Sequence, residues 1–271
     1  DYPKNIQEFI NQKYDLIVTV GFMLADATAD FARRNPNTKF AIVDYAYDKP
    51  MPNVLGLVFA TDEAAFLAGY LAAGMTKTGV IGTFGGIAIP TVTIFMDGLE
   101  AGIKYYNQVH KTSVQLLGWN GKTQKGLFVG NFESTDDGRR MAESLFDEGA
   151  DIVMLVAGPV GLGSAAAAKA RRKMIIGVDT DWYVSAPEFK EVILTSVVKK
   201  MDNADFDAIK AVQQGTFKAG IYTGTLANGG VDIAPAHDFA KQVPAWLTQE
   251  LEQVRQKIIK GEININAILG R

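Results

Sequence analysis

Residues 151–199 read DIVMLVAGPVGLGSAAAAKARRKMIIGVDTDWYVSAPEFKEVILTSVVK, and this stretch decides the fold. Three short apolar runs rich in β-branched residues, 151–157, 174–179 and 192–199, are separated by segments of helical composition. Runs of this length without strict alternation are typical of strands buried on both faces, as in parallel sheets. The stretch therefore predicts consecutive β-α units of an α/β protein.

Runs of the same kind occur on the amino-terminal side of this stretch. They are residues 15–20, 40–44, 54–59, 79–84 and 113–117. Helical spacing of apolar residues is found at Val92, Phe95, Leu99 and Ile103, at Met141 and Leu145, and at Leu247, Leu251, Val254 and Ile258. Two acidic pairs, Asp62-Glu63 and Asp136-Asp137, stand where helices are expected to begin. The chain is thus predicted to alternate strands and helices throughout.

Composition narrows the classes of function. The 271 residues carry 27 basic and 30 acidic side chains and contain no cysteine, which excludes disulfides, thiol nucleophiles and thiolate metal sites. A slightly acidic chain without a basic block is not expected to bind nucleic acid. No stretch approaches the roughly 18 consecutive apolar residues of a membrane-spanning helix. We therefore expect one or two soluble domains that bind or convert a small molecule.

We predict two α/β lobes, 1–75 with 200–271 and 76–199, because 71–77 and 199–205 could carry the chain between two sheets. In open α/β sheets, ligands bind outside the carboxyl ends of the strands. The candidate ligand-binding residues lie at or beyond such ends: Phe22, Asp44, Phe132, Gly158, Asp179, Trp182 and Lys199. Aromatic faces, a carboxylate acceptor and a lysine donor suit a small molecule with a flat ring and hydroxyl groups.

Two motifs admit other interpretations. Residues 161–166 (GLGSAA) fit the G-x-G-x-x-A pattern, and Asp179 stands 18 residues after Gly161, which is the order of an NAD-binding fingerprint. Against it, residues 158–160 separate the strand from the first glycine, whereas the fingerprint needs its turn at the strand end. The pair Asp179 and Asp181 could hold a divalent cation on a diphosphate, accept hydrogen bonds from a diol, or cap a turn.

No catalytic group is predicted. The two histidines, His110 and His237, do not follow predicted strands, and neither G-x-S-x-G nor H-E-x-x-H occurs. We therefore expect a binding protein without enzymatic activity, cofactor or metal, and keep an NAD-dependent enzyme using Gly161 and Gly163 as the alternative. A ligand-sensing regulator is a third hypothesis, although no segment resembles a DNA-reading helix.

Several segments, taken together, resemble a known family. They are YDLIVTVGF (14–22), FAIVD (40–44), EAAFLAGYLAA (63–73), KTGVIGTFGG (77–86), PTVTIFMDGLEAG (90–102), IGVDTD (176–181), TSVVK (195–199) and LANGGV (226–231). They follow the order found in the basic membrane protein family, the substrate-binding proteins of ABC importers that include the PnrA-like purine nucleoside receptors. The resemblance covers essentially the whole chain.

This resemblance implies a type I periplasmic-binding fold, with two Rossmann-like lobes and parallel sheets around a ligand cleft that closes by a hinge. It implies capture of a nucleoside, delivery to a membrane permease, and no catalysis. Asp179 of the GVD motif and Lys199 of the TS-x-x-K motif match residues that bind ribose hydroxyls. Phe132 matches an aromatic that stacks on the base, and Gly158 matches a backbone contact. For Asp44 we expect a polar contact with base or sugar.

The chain departs from the family pattern in three places. The family's first strand and helix have no counterpart, so part of the pocket and an N-terminal lipid anchor or signal region are expected to precede this segment. Pro159 stands where a second glycine is common, and Trp182 stands where glutamine is common. A purine nucleoside, a free base or a flavin are therefore all compatible ligands. We expect a monomer in the periplasm or on the outer face of the cell membrane.

Overall fold

The computed structural model describes residues 2–271, and the chain forms two compact units. The smaller comprises the residues up to Ala60 together with Lys200–Gly230, and the larger comprises Thr61–Lys199 and Val231–Arg271. The predicted division was 1–75 with 200–271 against 76–199. The structure differs in assigning residues 61–75 and 231–271 to the larger unit.

Strands and helices alternate along most of the chain. The strands are β1 (Leu16–Val20), β2 (Lys39–Val43), β3 (Val54–Phe59), β4 (Val80–Gly85), β5 (Gln115–Leu117), β6 (Trp119–Asn120), β7 (Lys125–Gly126), β8 (Ile152–Val156), β9 (Met174–Asp179), β10 (Ile193–Lys199), β11 (Gly220–Gly224) and β12 (Val231–Ile233). The helices are α1 (Tyr2–Asn11), α2 (Ala25–Arg34), α3 (Thr61–Met75), α4 (Pro90–His110), α5 (Thr135–Asp147), α6 (Gly161–Arg171), α7 (Trp182–Ser185), α8 (Met201–Gln213), α9 (Ala245–Ile259) and α10 (Ile265–Leu269).

The smaller unit contains a four-stranded sheet in the order β1-β2-β3-β11, with all neighbours parallel. Its core is formed by side chains such as Phe31 of α2 and Phe40 and Ile42 of β2, which are 4% exposed or less. The side chain of Asn53, itself buried, donates hydrogen bonds to the carbonyls of Ala32, Asn35 and Thr38. These bonds fix the loop before β3 against the end of α2.

The larger unit contains a six-stranded sheet in the order β12-β10-β9-β8-β4-β5. Strands β10, β9, β8, β4 and β5 are parallel, and β12 pairs antiparallel with β10. Every residue of β8 and β10 is buried, as expected for strands covered on both faces. The predicted α/β class with parallel sheets is therefore confirmed. Among residues 2–271, no helix has both the length and the apolar character needed to cross a bilayer.

Close packing of α3 on α4 explains why residues 61–75 belong to the larger unit. A Cβ atom at Gly69 of α3 would lie 2.3 Å from the carbonyl oxygen of Leu99. A Cβ atom at Gly102 of α4 would lie 2.1 Å from the carbonyl oxygen of Phe66. The two backbones therefore touch where glycine leaves room. Helix α3 also packs against β10, β12 and α9, so the chain crosses between units before this helix and not after it.

Asp62, in the first turn of α3, has a buried carboxyl oxygen without a hydrogen-bond partner in the described residues. Burial, followed by the charge of Glu63, raises the pKa of Asp62 from its ordinary value of 3.8 to about 6. Above pH 6 the Asp62 carboxyl is ionised although its burial disfavours the charge, and this lowers the free energy of unfolding. The loss disappears below the unfolded pKa, where the carboxyl is protonated in both the folded and the unfolded state.

We expect Asp62→Asn to raise the free energy of unfolding by about 1–3 kcal/mol at pH 8. The gain should decline as the pH falls from 6 to 4. Urea unfolding of both proteins at pH 8 and at pH 4 measures the difference. Asp136→Asn is the matched control, because Asp136 occupies the first turn of α5 but is exposed. An equal gain at pH 8 and pH 4 would contradict the proposed origin in the charge of Asp62.

Candidate functional site

The carboxyl edge of the larger sheet gathers four predicted ligand-binding residues. Strands β10, β9, β8 and β4 are parallel neighbours, so their carboxyl ends share one edge. Lys199 ends β10, Asp179 ends β9, and Gly158 follows β8. Phe132 packs on Gly86, the residue that follows β4. The structure thus brings together residues that are far apart in sequence, as the argument from strand ends predicts.

Asp179 and Lys199 form the polar centre of this edge. The Nζ atom of Lys199 lies 3.0 Å from Oδ1 of Asp179 and 5.2 Å from the ring centroid of Phe95. The lysine side chain is only 5% exposed, whereas the aspartate side chain is 38% exposed. A buried ammonium needs a carboxylate partner, and an ionised carboxylate has more acceptor positions than one lysine occupies. Asp179 can therefore pair with Lys199 and still accept hydrogen bonds from a ligand.

The backbone at Asp179 supports this arrangement. Its φ angle is +69°, in the left-handed region that few residues other than glycine, asparagine and aspartate adopt. The preceding residues of β9 pair in register with β10, where Val198 lies opposite Asp179. The strand end thus places the aspartate beside the residue that precedes Lys199.

Phe132 lies on a loop whose shape is set by Asn131. The Oδ1 atom of Asn131 accepts a hydrogen bond from the backbone N–H of Ser134 at 2.8 Å, and its Nδ2 atom donates to Asp137 at 3.0 Å. Hydrogen bonding with Ser134 and Asn131 lowers the pKa of Asp137. A Cβ atom at Gly86 would lie 2.3 Å from the Phe132 ring, so the ring rests directly on this backbone. The ring is half-buried.

Gly158 is an open backbone position at the same edge of the sheet. Its φ angle is +53°, and a Cβ atom added there would meet no heavy atom within 4 Å. Glycine at this position therefore meets a conformational need, and nothing in the protein fills the space a side chain would take. The 3-10 helix Gly158–Val160 follows and includes the exposed Pro159.

Trp182 is separated from this group by its burial. It is 6% exposed, its Nε1–H donates to the carbonyl of Val178 at 2.9 Å, and its backbone N–H donates to Ser196 Oγ at 3.0 Å. Its ring packs on the backbones of Gly161 and Gly177. The structure thus places Trp182 in the core, where its ring packs against the carboxyl-terminal part of β9. These packing contacts account for the presence of tryptophan at this position.

The smaller unit carries the other two candidate residues at the corresponding edge of its own sheet. Asp44 follows β2 with φ +63°, and its N–H donates to the carbonyl of Leu57 at 2.8 Å. Phe22 follows β1 after Gly21, whose φ angle is +99° and whose N–H donates to the carbonyl of Val43. Both side chains are half-buried. Phe22 and Asp44 therefore lie at the carboxyl ends of adjacent parallel strands.

Packing accounts for the glycines of the dinucleotide-like motif. A Cβ atom at Gly163 would lie 1.8 Å from the carbonyl oxygen of Thr135, and one at Gly161 would lie 2.1 Å from a methyl carbon of Leu155. These glycines let α6 approach α5 and β8. Residues 157–160 lie between β8 and α6, so the turn lacks the compactness of the NAD-binding fingerprint.

The sequence offered no signal for the role of His237. Its Nε2 atom lies 2.7 Å from Oδ2 of Asp181, and its ring stacks on Tyr183 with a centroid distance of 4.0 Å. Asp181 also caps α7 by accepting a hydrogen bond from the N–H of Tyr183. The second acid of the D-x-D pattern is thus engaged in structure. Within residues 2–271, no group of three or more histidine or acidic side chains is placed to hold a metal ion.

Comparisons with known proteins identify the family to which the chain is similar. Residues 1–268 match the family model described as ABC transporter substrate-binding protein PnrA-like. The ABC transporter nucleoside-binding protein BmpA of Lactococcus lactis is 31% identical over 280 residues, covering 98% of this chain and 75% of that protein. Basic membrane protein A1 of Borrelia garinii is 33% identical over 256 residues, covering 92% of this chain and 70% of that protein.

A solved structure supports the same conclusion about the fold. The ABC transporter solute-binding protein of Aeropyrum pernix superposes with a TM-score of 0.80 at 28% identity, covering 97% of this chain and 80% of that one. The predicted type I periplasmic-binding fold is thereby confirmed.

Proposed function

Because the chain belongs to the family of PnrA-like ABC transporter substrate-binding proteins, we propose that it captures a purine nucleoside and delivers it to a membrane permease. The ligand would bind at the carboxyl edge of the larger sheet. Its ribose hydroxyls would donate to Asp179 and accept from Lys199, and its base would stack on Phe132. Gly158 would offer its open backbone to the ligand.

The observation that carries this proposal is the Asp179–Lys199 pair. One carboxylate that is held by a buried lysine, yet partly exposed, can accept both hydroxyl hydrogens of a vicinal diol. A sugar ring offers such a diol. The nucleoside-binding name of the Lactococcus lactis relative supports the same class of ligand. Micromolar affinity corresponds to roughly 8 kcal/mol of binding free energy, which one aromatic stack and several charge-assisted hydrogen bonds can supply.

Transport, and not catalysis, is the activity we propose. The residues at the sheet edge bind and orient, and the two histidines of the chain are engaged in contacts with Glu250 and Asp181. Function as a transport receptor places the protein in the periplasm or on the outer face of the cell membrane. Phe22 and Asp44 form a second candidate ligand-binding surface, on the smaller unit. Substitutions of these two residues would test it separately.

The experiment that tests this function is extraction and identification of the bound ligand. We would denature the purified protein, identify the released small molecule by mass spectrometry, and titrate the refolded protein with inosine, adenosine, hypoxanthine and riboflavin by calorimetry. Recovery and micromolar binding of a purine nucleoside is the expected result. Recovery of NAD, or protection against melting by NAD but not by any nucleoside, would overturn the proposal in favour of a dehydrogenase.

A further inference from the structure

A cavity of about 640 Å³ lies at the amino edge of the larger sheet, which is the end opposite to Asp179 and Lys199. Thr78, Asp151, Lys173 and Val192 line it, and they stand just before β4, β8, β9 and β10 respectively. Since these strands are parallel neighbours, their amino ends meet at one edge. The volume is within the range of small-molecule sites, and every lining residue belongs to the larger unit.

Three positive charges line the cavity without ion-pair partners. We call Lys77, Arg172 and Lys173 the cationic rim; within residues 2–271 none of the three forms an ion pair. The fourth lining cation, Lys169, is bound to Glu191 at 2.8 Å. The cationic rim therefore consists of the lining cations that have no ion-pair partner in the described part of the chain.

Asp151, the acidic lining residue that has no ion pair among residues 2–271, accepts three hydrogen bonds from the protein. Its Oδ1 atom accepts a hydrogen bond from the hydroxyl of Thr76, and its Oδ2 atom accepts from the backbone N–H of Lys77, both at 2.6 Å. The backbone N–H of Thr78 donates to the same carboxylate at 3.2 Å. Asp151 therefore holds the loop before β4 in place and is not free to pair with the cationic rim.

The positive charge of the rim exceeds what the helix ends explain. Lys77 follows α3, and Arg172 and Lys173 follow α6, where cations offset the partial negative charge of about half a unit at each helix carboxyl end. Two such ends balance about one of the three rim charges. The carboxylate of Asp151 keeps its own negative charge, since all its donors are neutral, so the cavity keeps an excess of about one positive charge. We call Met75, Met174 and Phe239, which lie in the same lining, the apolar wall.

From this combination we infer that the cavity is a second ligand site, for a small organic anion with an apolar body. The cationic rim binds the phosphate or carboxylate head, where the Arg172 guanidinium offers two parallel donors and the lysines offer point charges. The apolar wall covers the body of the ligand. This site is separate from the proposed nucleoside site, since the two lie at opposite edges of one sheet.

The probe for this site is phenyl phosphate, added to the whole chain labelled with ¹³C at the methionine methyls. We expect the methyl NMR signals of Met75 and Met174 to shift as phenyl phosphate is added. The signals of Met96 and Met154, which are buried and do not line the cavity, should not shift. Raising the salt concentration should weaken binding severalfold, because an exposed charged site is screened. Absence of a shift at Met75 and Met174 with 10 mM probe would overturn the inference.

Substitutions test the roles of the charges. The triple variant Lys77→Gln, Arg172→Asn, Lys173→Gln is expected to lose at least tenfold in affinity for phenyl phosphate. Asparagine is chosen at 172 because this residue has φ +54°. Arg171→Gln is the matched control, since Arg171 is the preceding residue but pairs with Asp147 outside the cavity. Its affinity should stay within twofold of the parent.

Two further outcomes are decisive. Retention of parental affinity by a folded triple variant, as judged by thermal melting, would overturn the inference, as would equal affinity for inorganic phosphate, which has no apolar body. Asp179→Asn should leave the binding of phenyl phosphate unchanged. The two proposals are therefore tested separately, because loss of nucleoside binding is not expected to change the response of the Met75 and Met174 signals to phenyl phosphate.

Discussion

Asp179→Asn is expected to weaken nucleoside binding by about 30- to 100-fold, equivalent to about 2–3 kcal/mol for lost hydrogen bonds to a charged acceptor. Asparagine keeps the shape of the side chain and tolerates the left-handed backbone, whereas alanine would add strain at φ +69°. It removes the charge and one of the two acceptor oxygens. Titration calorimetry with the nucleoside identified by extraction measures the change.

Two controls separate binding from stability in this experiment. The variant should melt at a lower temperature, because Lys199 loses the carboxylate that lies 3.0 Å from its ammonium. Titrations are therefore made well below that temperature, with circular dichroism to verify folding. Asp181→Asn is the matched variant, since Asp181 stands two residues further on and its carboxylate binds His237. Affinity equal to the parent in Asp179→Asn would remove this residue from the site.

The second large effect concerns the fold. Gly102→Val is expected to lower the free energy of unfolding by about 3–5 kcal/mol, at the upper end for overpacked cores. The reason is that its Cβ atom would stand 2.1 Å from the carbonyl oxygen of Phe66, which belongs to the backbone of α3 and cannot rotate away. Separating α3 from α4 would disturb a large part of the larger unit's core.

Urea unfolding, followed by tryptophan fluorescence, measures this effect. Gln108→Ala in the same helix is the control, because Gln108 is exposed and alanine favours helix, so the change should stay within about 0.5 kcal/mol. An unchanged midpoint for Gly102→Val would show that the two helices do not approach as closely as described.

The strands could be predicted from sequence because they are apolar on both faces. Strands β8, β9 and β10 are examples, with bounds within one residue of the predicted ones at every end. Strand β11 was missed because it is a short edge strand with two exposed residues, and β12 because it spans three residues. The position of α3 could not be predicted either, since contact between helix backbones at Gly69 and Gly102 depends on tertiary packing.

The candidate site could also be predicted from the sequence only in part. Asp179 and Lys199 could be named from their places at strand ends and in short motifs, because a strand's carboxyl end leads to a known edge of the sheet. Trp182 looks the same in sequence, yet its indole N–H is bound to Val178 and its ring is buried. Whether an aromatic residue beyond a strand faces a ligand or the core depends on a few ångströms of packing. The pairing of His237 with Asp181 likewise spans 56 residues.

Asp44 and Asp179 both have a left-handed backbone conformation, which favours glycine over aspartate at these positions. Each aspartate adopts a conformation, at φ +63° and +69°, that glycine would occupy at lower cost. At 179, however, glycine would also remove the carboxylate that lies 3.0 Å from the buried ammonium of Lys199, so the relief of backbone strain would be outweighed by an unpaired buried charge. A lineage released from selection for its ligand is therefore expected to keep aspartate at 179 as long as Lys199 stays buried beside it, and to lose the two residues together.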